Sequence, residues 1–372
     1  MVSLLAVKNF KALRAIDLSI NQLNILSGIN GVGKSSLIQI LLLLKQTFEE
    51  GNIQEGLLLK GKYIDIGKAI DIFSESAPVE EGISIEIEVD DEFANLNFEY
   101  NRNLEQEYLL PLKSTQSEIS ANFSKSKLFS NNCRYLSAYR ANPQKFYKLS
   151  SNLKEDEIGL HGEFVTQFLA IKPDRKIPIK NLAINNKKDD TLSTQVEEWL
   201  SVISEGIRIK TNINDEFELS TIKYQFKIGN DSTNLFTPLN VGYGFTSVLP
   251  IIVSILSANI GDILIIENPE DQLHPKAQAK LGFLFALAAK EGVQLFVETH
   301  SDHIINGIRV AVKNGNIDNQ DVGVLFFQRD AKSKNHQSEI IRLNIDKKGR
   351  IDKYPKNFLD EWDKQLDELI KS

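Results

Sequence analysis

The stretch GINGVGKSS, residues 28 to 36, constrains this chain more than any other. It follows the short apolar run LNILS and keeps the spacing GxxxxGK(S/T), with Gly28, Gly33, Lys34 and Ser35 at the fixed places. Glycine lets backbone approach a ligand closely and adopt positive φ. The N–H groups of such a loop, with the N-terminus of the helix it opens, receive phosphate oxygens. Lys34 is expected to reach the β- and γ-phosphates and Ser35 to place its hydroxyl on Mg2+, with Gly31 and Ser36 completing the loop. A strand must end at this loop and a helix must begin there. The following KSSLIQILLLLKQTFEE is apolar around nearly its whole circumference, as suits a helix buried under a sheet.

The 372 residues allow one large domain or two to three small ones. The longest apolar runs, IQILLLL and VLPIIVSIL, suit buried helices rather than membrane spans. The N-terminal MVSLLAVKNFKALRAIDLSI lacks the pattern of a signal peptide. These features predict a soluble cytoplasmic protein with no membrane partner. A single cysteine, Cys133, excludes an intrachain disulfide framework and a Cys-based zinc site. With a net charge of −7 the chain as a whole does not attract nucleic acid. KPDRKIPIK at 172 to 180 and the pair Lys187 and Lys188 are local basic stretches, best read as solvated loops. Any contact with DNA would need a local patch or an assembly.

Along the chain, SLLAVKNF, AIDLSI and QLNILSG read as strands. ISIEIEV alternates strictly and precedes ANLNFEY across a short acidic turn, which predicts a hairpin. Residues from 101 are more polar: RYLSAYR and STIKYQFKI read as strands, GEFVTQFLA and STQVEEWLSVI as helices. The apolar density then rises, with a buried helix in FTSVLPIIVSILSAN, a strand in DILIIENPE, a helix in PKAQAKLGFLFALAAKEG and a strand in VQLFVETHS. This alternation indicates a largely parallel sheet with helical cover. The expected division is 1–100 and 235–330 for two parts of one core, 101–234 for an inserted lobe, and 331–372 for a C-terminal strand and tail helix. That tail, KNFLDEWDKQLDELI, sets Phe358, Leu359, Trp362, Leu366, Leu369 and Ile370 on one face, and packing against its own domain is expected.

A phosphate loop with magnesium needs an acid at the end of a neighbouring strand. ILIIE supplies four apolar residues followed by Glu267, the Walker-B arrangement, although taken alone it is equally an ordinary buried strand. FVETHS ends another such strand, and the C-terminal ends of parallel strands meet at the edge where ligands bind, which puts His300 near the γ-phosphate. His300 and His303 form an HxxH pair, but with no cysteine nearby and no clear third ligand zinc is not expected. Thr299, Ser301 or Asp302 suits the cap of the next helix.

Three segments together, FKAL…LNILSGINGVGKSSLIQ, LIIENPEDQLHPKAQAKLG and FVETHSDHIINGIR, resemble the ABC/SMC-like branch of AAA-family ATPases. That branch includes RecF-like proteins, the ATPase half of OLD-family nucleases and ATPase subunits of bacterial anti-phage systems such as Septu. Asn30 in the loop and the PExxLHP run (Pro269, Glu270, Leu273, His274, Pro275) are the most specific pieces, and YLSAYRANP followed by GLHGEFV is similar to a paired segment of the branch. The resemblance covers about 1–70 and 235–330 and is weak across the insertion. It implies an α/β P-loop NTPase of ABC-ATPase type, with a mixed central sheet under helical cover and an inserted α/β lobe. It also implies ATP and Mg2+ as cofactors, Asn30 on the nucleotide, Ser35 and Glu267 on the metal, and His300 as the switch histidine. In the family a signature loop contacts the γ-phosphate held by a second subunit. LNVGYGFTSVLP occupies that place with Asn240 where serine would stand, while Gly242 and Gly244 keep the backbone open; a plain glycine turn entering a helix is the alternative. In ABC-type enzymes the Walker-B acid is followed by a glutamate that polarises water, but here Asn268 follows Glu267. Glu270 is then either a surrogate base or a non-catalytic cap, and hydrolysis is expected to be slow.

The implied function is a slowly hydrolysing ATPase that forms a homodimer or higher homo-oligomer around ATP and controls an effector, a nuclease in anti-phage defence. An OLD-type nuclease would carry a further catalytic domain, but the 72 residues after His300 show no such acid constellation. An ABC transporter ATPase fits less well, because a long insertion separates the loop from Glu267 and PExxLHP replaces the usual transporter segment.

Overall fold

The structure is a computed structural model that describes residues 1–51, 53–100, 109–111, 119–151, 157–184, 189–329 and 337–371. Lys187 and Lys188 lie outside the described residues. The chain divides into two compact units, Met1–Cys133 with Asn319–Ser372, and Arg134–Asp318.

In the first unit Val2–Phe10 pairs antiparallel with Leu13–Ser19 on one side and Ile83–Val89 on the other, and Glu92–Phe98 completes the sheet. The alternation of ISIEIEV decides its orientation: Ile83, Ile85, Ile87 and Val89 are buried and the residues between them are not. The acidic turn is Asp90 and Asp91, with φ of 53° and 65°. A two-residue hairpin needs positive φ at both central positions, and aspartate tolerates it better than most side chains. A second set of strands runs differently. Leu23–Gly28 is parallel to Val322–Arg329, which is antiparallel to Ser338–Leu343. The helix Lys34–Glu49 follows the loop and buries residues on every side. Its fully buried Lys45 is paired rather than stranded, with Nζ 2.6 Å from Glu49 Oε1 and 2.6 Å from the Ser130 carbonyl.

In the second unit Ile263–Glu267 runs parallel to Gln294–Glu298, with Cys133–Leu136 on its other side. Both parallel strands are continuous apolar runs, as covered sheets require. The helices Pro275–Lys290 and Asp302–Lys313 meet at two glycines: a Cβ on Gly282 would fall 2.3 Å from the Ile304 carbonyl oxygen, and one on Gly307 2.1 Å from that of Ala279. A separate antiparallel sheet joins Ile207–Asn214, Leu219–Ile228, Asp231–Ser232 and Tyr147–Lys148, beside the helices Val165–Ile171 and Leu192–Ile203.

Two expectations need correction. RYLSAYR is a strand only over its first half, because Cys133–Leu136 ends before Ser137, whose Oγ sits 2.8 Å from the Tyr139 carbonyl and 2.7 Å from His161 Nδ1. The tail also behaves differently from an own-domain packing element. Phe358 is 1% exposed and meets Phe326 edge to face, but the helix Glu361–Ile370 buries none of its residues. Among the described residues no helix is long and apolar enough to cross a membrane.

Candidate functional site

The loop at residues 28 to 36 has the backbone its glycines imply. Gly28, Gly31 and Gly33 take φ of 141°, 74° and 97°. At Gly28 a Cβ would lie 2.1 Å from the Phe327 carbonyl oxygen, whereas at Gly31 it would meet nothing within 4 Å. Glycine is thus demanded by a neighbouring strand at the first position and by backbone conformation at the second. Gly33 opens the Lys34–Glu49 helix with no side-chain cap and no acidic residue in the first turn. The positive end of the helix is therefore not neutralised by the helix's own side chains, which fits an anionic group. Lys34 is 4% exposed, and its Nζ donates to the carbonyls of Gly28 at 3.0 Å and Ile29 at 2.7 Å, so the loop wraps its own cation. Asn30, Gly31 and Ser35 are exposed on the rim, and Ser36 is buried. These features fit a nucleotide's phosphates.

In the second unit, Glu267 ends its strand inside a cradle drawn from residues far away in sequence. Tyr135 donates its hydroxyl to Glu267 Oε1 at 3.2 Å, the Ala138 N–H donates to the same carboxylate, and Arg140 Nη2 donates to the Glu267 carbonyl at 2.9 Å. Burial pushes the Glu267 carboxyl above its ordinary range, while those two donors and the Arg140 charge pull it back. Burial also lowers the Arg140 guanidinium to about 10, opposed by Asp271 and Glu267, so it remains a cation at neutral pH. The Tyr135 hydroxyl is pushed up, first by burial and then by Glu267, and stays a donor. Across the parallel ladder Glu298 stands in register with Glu267. Neither Tyr135, Arg140 nor Glu298 was singled out from the sequence.

Asn268 has φ of 43°, and its N–H donates to the Glu298 carbonyl at 2.9 Å. Asparagine is among the few side chains that visit this left-handed region cheaply, which gives position 268 a backbone reason for its residue type. Glu270 is fully engaged: the Thr299 hydroxyl donates to Oε2 at 2.7 Å, and the His300 N–H donates to Oε1 at 2.7 Å. It ties the turn after Glu267 to the loop after Glu298, and burial raises its carboxyl. The His300 side chain is exposed. Ser301 caps the next helix through Ile304 N at 3.1 Å, and His274 caps the preceding one through Lys276 N at 3.2 Å. No group of three or more His, Cys, Asp or Glu side chains suited to a metal ion occurs among the described residues.

The glycine loop before Tyr243–Leu256 leaves Asn240 and Gly242 exposed. Gly242 has open space where a Cβ would be, but at Gly244 a Cβ would lie 2.6 Å from the Gln272 carbonyl oxygen. The helix start therefore packs directly on the turn after Glu267. The GLHGEFV segment is hydrogen-bonded to YLSAYRANP, with Ser137 N 2.9 Å from the Leu160 carbonyl and Ala141 N 2.8 Å from that of His161.

Comparison with known proteins bears on the fold and the family. The chain has the fold of the Smc head bound to the C-terminal winged-helix domain of ScpA, at 14% identity and a TM-score of 0.51, over 93% of this chain and 98% of that one. It is similar in fold to the Smc head with an extended coiled coil bound to the C-terminal domain of ScpA from Pyrococcus furiosus, at 12% identity and a TM-score of 0.51, over 100% and 99%. No curated protein matches the chain. Residues 317–369 match a family described as "Protein of unknown function (DUF3696)". The phosphate loop, Glu267 and the His300 segment all fall within residues 23–306, which match "AAA domain, putative AbiEii toxin, Type IV TA system", and the chain belongs to that family.

Proposed function

We propose that the chain is an ATP-binding switch that hydrolyses ATP slowly, associates with a second copy when ATP is bound, and thereby controls an effector protein. The observation that carries this reading is the uncapped helix N-terminus at Gly33 with Lys34 wrapped by loop carbonyls. Lys34 and the loop N–H groups, with Asn30 on the rim, would hold the phosphates; Ser35 and Glu267 would hold Mg2+, which when bound supplies charge to the phosphate oxygens. Glu267 must be ionised for that role, and the donors from Tyr135 and Ala138 favour its ionised form against burial.

The slow rate follows from the acids. Asn268 offers an amide where a carboxylate would act on water, and a general base typically contributes about 10²–10⁴-fold. Glu270 has both oxygens committed to Thr299 and His300, which supports a positioning role: it fixes the loop that carries His300. Such a site suits a long-lived ATP-bound state. We assign Asn240, Gly242 and Gly244 to the phosphate of a nucleotide held by the second copy. We assign the effector as a nuclease in anti-phage defence; the family's description, which names a toxin–antitoxin system, supports a defence or toxin–antitoxin setting and says nothing of a nuclease.

The test is Gly242→Trp. At position 242 a Cβ would meet nothing within 4 Å and φ is an ordinary −58°, so the backbone accepts a side chain, and an unchanged melting temperature would confirm that the variant folds. Light scattering should show ATP-linked association of the wild type and none for the variant, with ATP affinity spared. The same oligomer for both proteins, with and without ATP, contradicts the proposal.

A further inference from the structure

Two neighbouring segments of the first unit carry opposite charge. The turn closed by the bridge between Ile345 and Ile351, with the residues after it, exposes Lys347, Lys348, Arg350, Lys353 and Lys356. The acids between these cations are committed within the turn. Asp346 accepts from the Lys348 and Arg350 N–H groups, each at 2.8 Å. Asp352 accepts from the Asn344 N–H at 3.0 Å and from its Nδ2 at 2.7 Å. Among the described residues none of the cations makes an ion pair. Tyr354 stands exposed among them.

The helix Glu361–Ile370 has the reverse character. Trp362, Leu366, Leu369 and Ile370 form an exposed apolar stripe. The helical period sets Asp363 and Asp367 along one edge of that stripe and Glu361 with Gln365 along the other. Lys364 falls on the far side and is paired with Asp360 at 2.8 Å, so no cation of the helix flanks the stripe. Laying the stripe on that of a second copy, in either direction, sets acids against acids or against Gln365, which opposes pairing. The surface it fits is cationic. Lysine and arginine stems cover apolar area while their heads reach carboxylates, and a cation over an indole face is attracted to it. Within one chain the two segments do not pair: the tail acids' ion pair among the described residues is the one to Lys364. A second copy supplies what is missing, and a two-fold exchange makes the contact twice.

We propose that the tail helix of one copy docks on the cationic segment 347–356 of a second copy, and reciprocally, in a symmetric dimer that needs no nucleotide. Trp362 lies against the lysine and arginine stems, and Asp363 and Asp367 meet their charged heads. The reagent is the full chain carrying Lys34→Ala, without nucleotide, so that association linked to ATP is absent. Analytical ultracentrifugation over a dilution series should show a monomer–dimer equilibrium. Tryptophan emission should move to the blue as dimer forms, because Trp362 is 72% exposed and Trp199 only 3%. Raising salt from roughly 50 to 500 mM should weaken the dimer about 10-fold or more. Trp362→Ala should weaken it about 10-fold with an unchanged melting temperature. Lys347→Glu, Lys348→Glu and Arg350→Glu together should abolish it, and adding Asp363→Lys and Asp367→Lys to that same chain should restore it. A monomer at every concentration, a dimer unmoved by Trp362→Ala, a dimer that survives the triple reversal, or no restoration by the combined reversal overturns the proposal. Association linked to ATP adds to this dimer and is read in the wild type against Gly242→Trp, so either reading can fail without the other.

Discussion

Residues 28 to 36 and the surroundings of Glu267 both confine charge, but they are built in opposite ways. The loop is nine consecutive residues, and its cation is held by carbonyls five and six residues away. The carboxylate of Glu267 is held by Tyr135 and Ala138, about 130 residues earlier, and its neighbouring turn by Thr299 and His300, about 30 residues later. A local device tolerates substitution where its backbone is free and fails where a neighbouring strand touches it. A dispersed one fails wherever a hydrogen bond tying two segments is lost.

Glycine substitutions give the largest expected effect. Gly28→Ala places a Cβ against the Phe327 carbonyl and should destabilise the first unit by about 3 kcal/mol. Gly31→Ala has room and should cost only about 1 kcal/mol for its left-handed backbone. Thermal or denaturant unfolding checks both, and equal losses would show that close strand contact does not decide the loop's glycines.

Next comes Glu270→Gln. Its oxygen can still accept from the His300 N–H and its NH2 can donate to the Thr299 hydroxyl, but both bonds lose their charge assistance and the Thr299 hydroxyl must turn, at a cost of about 2 kcal/mol. Stability should fall by that amount, and the slow ATP turnover we propose should fall further as the His300 loop loosens. Unchanged stability with reduced turnover would instead assign Glu270 to the chemistry itself.

Asn268→Glu should have the smallest structural effect, about 1 kcal/mol for a glutamate at φ of 43°. It should nevertheless raise turnover, since it restores a carboxylate beside Glu267. A stable variant with unchanged or slower turnover would show that the missing carboxylate is not what limits the rate.

This contrast also explains what the sequence discloses. The P-loop, ILIIE and the helix of residues 34–49 are legible because each is a contiguous pattern with a physical period or spacing. The hairpin ISIEIEV is legible for the same reason. Tyr135 and Arg140 are not, because a tyrosine and an arginine at a strand end have no spacing that names their partner 127 to 132 residues away. For Arg140 the cue available was positional: a polar residue shortly after the strand Cys133–Leu136, at the edge where ligands bind, whereas Tyr135 lies within that strand. The strand Ile207–Asn214 is as legible as that hairpin and is missing from the sequence reading: Ile207, Ile209, Thr211 and Ile213 alternate with Arg208, Lys210, Asn212 and Asn214, although only Ile207 is fully buried. The tail helix failed differently. Its apolar stripe is real, but Trp362, Leu369 and Ile370 are 72%, 78% and 76% exposed, and periodicity does not say what an apolar face meets.

The central claim is that Lys34 and its loop bind the phosphates of ATP. Calorimetric titration of MgATP into the wild-type chain and into Lys34→Ala tests it most directly, with the melting temperature of each recorded alongside. Losing a buried cation that contacts two phosphates should weaken binding about 100-fold, since charge-assisted bonds are worth about 1.5–3 kcal/mol and each 1.4 kcal/mol is tenfold. Saturable binding by the wild type, lost in a variant with the same melting temperature, is the result predicted. Equal affinity in a folded Lys34→Ala chain, or no ATP binding by the wild type, would contradict it.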